Sequence, residues 1–293
     1  MYYYFLIMLS VMMFGVNFAL NDVYRRTRGS TVKASLEFTL FGSLVGVAVL
    51  FIINGISFSV TPFALIMSLI AALNGFAFTF CGFKALGSIN LSLYSLFSML
   101  GGMLLPFMQG ILFFNEEITL AKALCFILIV IALIVTVEKG ERKNGGIYYV
   151  GIFVLNGMSG VITKIYNTAP YDKISSAGYS ILQASWSVVI SLALILIFCR
   201  NTREDKRISK KSIGIAALGG SINRVANFIL VFSLNFVENS VQYPMVTGGV
   251  IIVSTLICYL GKNKPKKKEL LAVALAFVGL LIMFLLPEMM KNI

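Results

Sequence analysis

Apolar residues run along this chain in blocks about 20 long, the length a helix needs to cross about 30 Å of hydrocarbon at about 1.5 Å per residue. The blocks fall at 2–23, 34–53, 62–83, 89–114, 120–137, 147–167, 176–199, 213–236, 241–260 and 270–286. Each predicts one membrane-spanning helix, ten in all. The links between them are short. The longest, 200–212, is basic and polar, and none has room for a soluble domain. The first block lacks a basic leader and a small-residue cleavage site, so it reads as a retained span and not a signal peptide.

The pattern also repeats. A shift of 146 positions lays Tyr2-Tyr3 on Tyr148-Tyr149, Leu9 on Leu155, Met12 on Met158, Asn21 on Asn167 and Leu124 on Leu270. One further residue of shift lays Gly101-Gly102 on Gly248-Gly249, at matching places in the fourth and ninth blocks. The expected fold is therefore an all-α membrane protein of two five-helix repeats, 1–140 and 147–287. An odd number of spans per repeat turns the second half upside down relative to the first. Secondary transporters recurrently use that plan, with the binding site between the halves near the midplane.

Composition narrows the chemistry. The 293 residues are 58% hydrophobic and only 12% charged, with a mean hydropathy of +0.91; soluble domains keep roughly a quarter of their residues charged. There is no histidine, which excludes Ser-His and Cys-His nucleophiles and His-based metal sites. No phosphate-binding GxxxxGK[ST] segment occurs. The three aspartates (Asp22, Asp172, Asp205) lie at span ends or in links, so no membrane-embedded aspartate dyad is expected. Cys81, Cys125, Cys199 and Cys258 are scattered within or at the end of apolar blocks and read as small core residues. Neither an enzyme, a metal nor a cofactor is expected. The net charge of +12 sits in inter-helix links, which points to membrane orientation and away from nucleic acid.

Phe114-Asn115-Glu116-Glu117-Ile118-Thr119, followed by an apolar span, resembles the "G-E-x-x-T" link of the EamA-like branch of the drug/metabolite transporter superfamily. Lys84-Ala85-Leu86 before the fourth span and Gly279 in the last add to the likeness, which covers nearly the whole chain. In the second half, Lys262 of Gly261-Lys262-Asn263-Lys264-Pro265 stands where the family has glutamate. The resemblance implies a solute carrier, often an exporter, driven by a coupling ion, by protons or by exchange. It also implies cytoplasmic termini. The charge pattern implies the opposite. All but five of the 24 Lys and Arg residues lie in the odd-numbered links or at span ends beside them, the exceptions being Lys122, Lys164, Lys173, Arg224 and Lys291. The positive-inside rule then puts both termini outside.

Arg224 is the sharpest candidate for a binding residue. It lies near mid-span, where a charge costs about 2.5–3.5 kcal/mol on insertion scales, with Asn223 beside it and Asn227 one turn on. It reads as an anion-binding or gating charge, or as a structural arginine satisfied by those asparagines and by carbonyls. Glu37 lies about 10 Å shallower, within a turn of the basic end. It reads as an interfacial carboxylate paired with nearby bases such as Lys33, or as a proton-coupling group. Trp186, the only tryptophan, falls at mid-span, where it either packs or stacks on a substrate. Asn17 supplies cavity hydrogen bonds or joins helices.

Together these features point to a secondary transporter in the plasma membrane. It would move a small metabolite or amphipathic compound, as export, by alternating access. A channel or scramblase and a non-transporting membrane subunit are the alternatives.

Overall fold

The computed structural model describes residues 2–29, 31–55, 59–86, 91–135, 146–198, 208–260 and 267–291. Among these, ten α-helices follow one another: α1 (Tyr2–Arg28), α2 (Val32–Asn54), α3 (Pro62–Leu86), α4 (Leu91–Phe114), α5 (Leu120–Val135), α6 (Gly146–Thr168), α7 (Ser176–Phe198), α8 (Lys210–Ser233), α9 (Asn239–Leu260) and α10 (Lys267–Lys291). The described residues contain no strand. Hydroxyl side chains start many of the helices. Thr31, Thr61, Thr119, Ser175 and Ser209 each accept a hydrogen bond from the backbone N–H three residues on, satisfying donors that a helix start leaves free.

Six stretches are long and apolar enough to cross a membrane: Tyr2–Asn21, Val32–Asn54, Ser176–Ile197, Lys210–Ser233, Asn239–Ile257 and Leu270–Pro287. Shorter apolar stretches, Pro62–Phe78, Ser98–Phe114 and Leu120–Val135, lie in α3, α4 and α5. The protein is thus an all-α membrane protein. The helices exceed the apolar blocks by one to five residues at some ends, because polar residues such as Arg28 and Lys210 extend a helix that apolar residues began.

Sequence neighbours are not the main packing partners. α1 packs on α8 and α9, α2 on α7 and α8, α3 on α6 and α7, α4 on α6 and α9, and α5 on α10. Two crossings are glycine contacts. A Cβ on Gly42 of α2 would lie 2.5 Å from the Gly220 Cα of α8. A Cβ on Gly157 of α6 would lie 2.5 Å from the Gly101 carbonyl oxygen of α4. Small residues let membrane helices approach this closely. Gly42→Leu is therefore expected to force α2 off α8 and leave the purified protein aggregated. A monodisperse Gly42→Leu protein with wild-type melting would contradict the crossing.

The described parts of the α2–α3, α4–α5, α6–α7 and α8–α9 links lie at one end of the bundle, here the N-terminal end. Asn54 Oδ1 accepts from Ser175 Oγ at 2.8 Å, and Thr61 Oγ1 donates to the Asp172 carbonyl at 3.0 Å. These bonds bring the α2–α3 link against the α6–α7 link. Glu116, in the α4–α5 link, accepts from the backbone N–H groups of Asn239 and Ser240 at 3.0 and 2.8 Å, at the start of α9. Tyr3 stacks on Phe236 with ring centroids 4.0 Å apart. Most of the basic links, at 136–145, 199–207 and 261–266, lie outside the described residues.

Candidate functional site

α8 starts at Lys210, three residues earlier than the apolar pattern indicates. Arg224 is therefore about 21 Å from that end and about 13 Å from the Ser233 end. Its stem lies on α2, where a Cβ on Gly46 would come within 2.7 Å of the Arg224 Cγ. Its guanidinium donates to Ser43 Oγ at 2.7 Å. The side chain is half-buried, and no carboxylate among the described residues lies within ion-pair distance of it. Asn223 and Asn227 do not hold it, contrary to the sequence expectation. Asn227 donates to the Asn223 carbonyl and to its Oδ1, at 2.8 and 2.9 Å. The reason is helical geometry: residues four apart stack on one face, whereas Arg224 is turned about 100° from Asn223, toward α2.

Helical geometry also locates the interior. On α6, Asn156, Ser159 and Thr163 stand nine residues from the exposed Ile165, Val150 and Val154 respectively. Nine steps of about 100° are a half-turn past two full turns, so the two sets face opposite ways. Ser159 is nevertheless exposed, and Asn156 and Thr163 are half-buried. α6 thus has an apolar outer face and an accessible polar inner one. Asn74 of α3 donates to the Leu155 carbonyl and to Ser159 Oγ, both at 2.9 Å. On α8, Asn227 stands opposite the exposed Leu218 by the same nine-residue rule. Neutral polar groups of α3, α6 and α8 therefore face inward, and Arg224 lies at the depth of Ser159.

The remaining candidates lie elsewhere. Asn17 is buried on α1 between two contacts with α8, Ser10 Oγ donating to the Ala226 carbonyl at 3.0 Å and Leu20 against Gly219; its Oδ1 has no hydrogen-bond partner among the described residues. Trp186 is half-buried on α7, turned about 100° from the buried Ser180–Ser187–Ser191 face. Glu37 is buried at the basic end, bound not to Lys33 but to Arg28, whose Nε and Nη2 donate to it at 3.1 and 2.7 Å. Tyr24 also reaches it, at 3.5 Å. Burial, then the facing Glu37 charge, pushes the Tyr24 hydroxyl up to about 12, so Tyr24 stays a proton donor. Burial works against the Arg28 charge, but the Glu37 contact outweighs it and raises Arg28 above its ordinary value. This arrangement ties α1 to α2 and engages both Glu37 oxygens with Arg28.

Composition gave no hint of a second ionic cluster, at the N-terminal end. Glu116 caps α9 and lies 3.6 Å from Lys164 Nζ of α6, which also sits 5.3 Å above the Phe114 ring. Lys122 pairs with Glu238 and donates to the Glu117 carbonyl at 2.9 Å. The local sequence explains the link's shape. Asn115 adopts a left-handed φ of +50°, which asparagine tolerates better than most residues. Thr119 then caps α5. The sequence signal was present in Asn-Glu-x-x-Thr, but the partners of Glu116 are more than 40 residues away.

No family model matches the sequence, and neither does any curated protein. Among solved structures, one described only as "Crystal structure of protein" superposes with a TM-score of 0.76 at 14% identity, covering 99% of this chain and 98% of that one. At that identity the likeness is one of fold, and it extends from end to end.

Proposed function

We propose that the protein is a ten-span secondary transporter of the EamA-like drug/metabolite type, built as two inverted five-helix repeats in the plasma membrane. It exports a small metabolite or amphipathic compound by alternating access. The observation that carries this reading is Arg224: a half-buried guanidinium at mid-bundle, with no carboxylate partner among the described residues, at the depth of the inward polar faces of α6 and α8. A charge at that depth is costly unless it serves a path.

The packing supports the repeat. Advancing every helix by five places turns α1·α8 into α6·α3, α2·α8 into α7·α3 and α4·α6 into α9·α1. The pairs α2·α7, α4·α9 and α5·α10 map onto themselves. Each of these pairs is a contact of the fold. The two double glycines behave alike, Gly101-Gly102 receiving α6 and Gly249 receiving Val11 of α1.

The ties at the N-terminal end support the alternating cycle. Asn54–Ser175, Thr61–Asp172, Glu116–Ser240 and Lys122–Glu238 all join the first repeat to the second, as a gate between moving halves must. At the basic end the described ion pair, Arg28–Glu37, joins residues of the first repeat, and the contact across the repeats there is apolar, Tyr24 and Ala34 packing with Ala216. In this reading the carrier is closed at its N-terminal end. The basic links lie in the cytoplasm, and the N-terminal end lies outside.

One experiment tests both gate and orientation. With native cysteines replaced, Lys122→Cys and Glu238→Cys are bridged by a membrane-impermeant bifunctional maleimide added to intact cells. Bridging should stop export, and either single variant with the same reagent should not. Unimpeded export by the bridged protein would remove the gate. Bridging only after the cells are opened would place that end in the cytoplasm.

A further inference from the structure

Among the described residues the helix contacts run in a closed circuit, α1–α8–α2–α7–α3–α6–α4–α9 and back to α1. The inward faces of these helices therefore look into one interior. Asn167 of α6 meets α8 at the N-terminal end, donating to the Val231 carbonyl at 2.8 Å. Deeper in, polar groups share a level. Ser43 stands nine residues from the exposed Ile52, and Asn74 nine from the exposed Leu65, so both face inward. Counted from the N-terminal end, Asn74 lies about 18 Å deep, Ser43 about 17 Å and Ser159 about 14 Å. Arg224 leaves α8 about 60° from the inward Asn227, and its bond to Ser43 carries the guanidinium to this level, toward the basic end. Thr163 and Asn227 lie about one turn nearer the N-terminal end.

Hydrogen bonding has already sorted these groups. Asn74 Nδ2 gives one bond to the Leu155 carbonyl and one to Ser159 Oγ. Asn227 Nδ2 likewise serves the Asn223 carbonyl and Oδ1. Ser159 and Thr163 spend their hydroxyl hydrogens on carbonyls one turn back, those of Leu155 and Ser159. An amide has two donor hydrogens and a hydroxyl one, so these four side chains offer a solute oxygen lone pairs only. Arg224 is the reverse. Its guanidinium has five N–H donors and no acceptor, and its hydrogen bond among the described residues runs to Ser43. We propose that the interior binds a polyhydroxy carboxylate, its carboxylate in the Arg224 fork and its hydroxyls donating to Asn74, Ser159, Thr163 and Asn227. The proposal rests on the transporter reading and names its substrate class. Two parallel hydrogen bonds fit a carboxylate to the planar fork. An ammonium would also satisfy lone pairs, but all twelve acidic residues of the sequence lie in links or near helix ends. Its charge would stand near a guanidinium with no carboxylate to balance it, whereas hydroxyls donate without charge. With the N-terminal end closed, such a solute arrives from the basic end, the side toward which the guanidinium is turned.

Calorimetry on the purified full chain tests the class with gluconate, hexanoate, sorbitol and 6-aminohexanoate. Gluconate should bind, with hexanoate (no hydroxyls) and sorbitol (no carboxylate) each at least about tenfold weaker. Ser159→Ala combined with Thr163→Val removes two acceptors, and should weaken gluconate about fivefold or more while leaving hexanoate unchanged. Arg224→Gln should weaken gluconate and leave sorbitol unchanged. Equal binding of gluconate and hexanoate, or of gluconate and sorbitol, overturns the proposal. So does wild-type gluconate affinity in the double variant, even if Arg224→Gln fails to fold. Tighter binding of 6-aminohexanoate than of gluconate gives the lone pairs to an ammonium and overturns it too. Flux into reconstituted vesicles separates the two readings. Gluconate binding without flux defeats the carrier and keeps the site. Flux of sorbitol or hexanoate without that of gluconate keeps the carrier and defeats the site.

Discussion

Arg224→Gln is expected to abolish transport and leave the protein folded: flux in reconstituted vesicles should fall by about a hundredfold, the effect of losing a charge-assisted contact worth up to about 3 kcal/mol. The melting temperature holds or rises, because the variant no longer carries a mid-membrane charge costing about 2.5–3.5 kcal/mol. Only the Ser43 hydrogen bond is lost among the contacts described, and a glutamine reaches part of the way to it. Arg224→Lys separates charge from shape. Lysine keeps the positive charge but loses the planar fork, so partial activity indicates a point-charge role and no activity indicates bidentate recognition. A purely structural arginine gives the opposite pattern, with lowered melting and flux that falls only as far as the folded fraction does. A stable Arg224→Ala protein with full transport would end the role assigned to this residue. The inner face of α6, with Ser159 and Thr163, would then be the next place to look.

Glu116→Ala is expected to cause the largest loss of stability of any single side-chain truncation at the N-terminal end. It removes the acceptor for two backbone N–H groups at the start of α9 and leaves the buried Lys164 without its carboxylate. Breaking a buried pair costs about 3–5 kcal/mol, and a lost helix cap adds about 1 kcal/mol. Glu116→Gln keeps an oxygen for the cap and loses only the charge, so its melting temperature should fall between those of wild type and Glu116→Ala. Thermal unfolding of the three proteins in one detergent decides the matter. If Glu116→Ala melts with the wild type, the capping geometry contributes nothing. Because the link also joins the two repeats, Glu116→Ala should make Lys164→Cys more reactive toward maleimide.

The sequence alone determined the class and the elements. Blocks of about 20 apolar residues leave a chain few options, since in hydrocarbon every backbone group must be paired within its own segment. The helices accordingly fall where the blocks do. The depth of Arg224 and the shallowness of Glu37 were also legible, because depth along a helix is simple counting at a fixed rise per residue.

The tertiary structure decided who meets whom. Counting along one helix cannot say that α1 lies against α8 and α9, nor that Arg224 turns to Ser43 while Asn223 and Asn227 bind each other. It cannot say that Glu37 belongs to Arg28, or that Glu116 reaches across to cap α9. All of these depend on which face of one helix meets which neighbour. In a membrane protein the hydrophobic pattern is weak guidance to that choice, because lipid and protein interior are both apolar. The informative signal is the scattered polar residue, and its partner is supplied only by the fold.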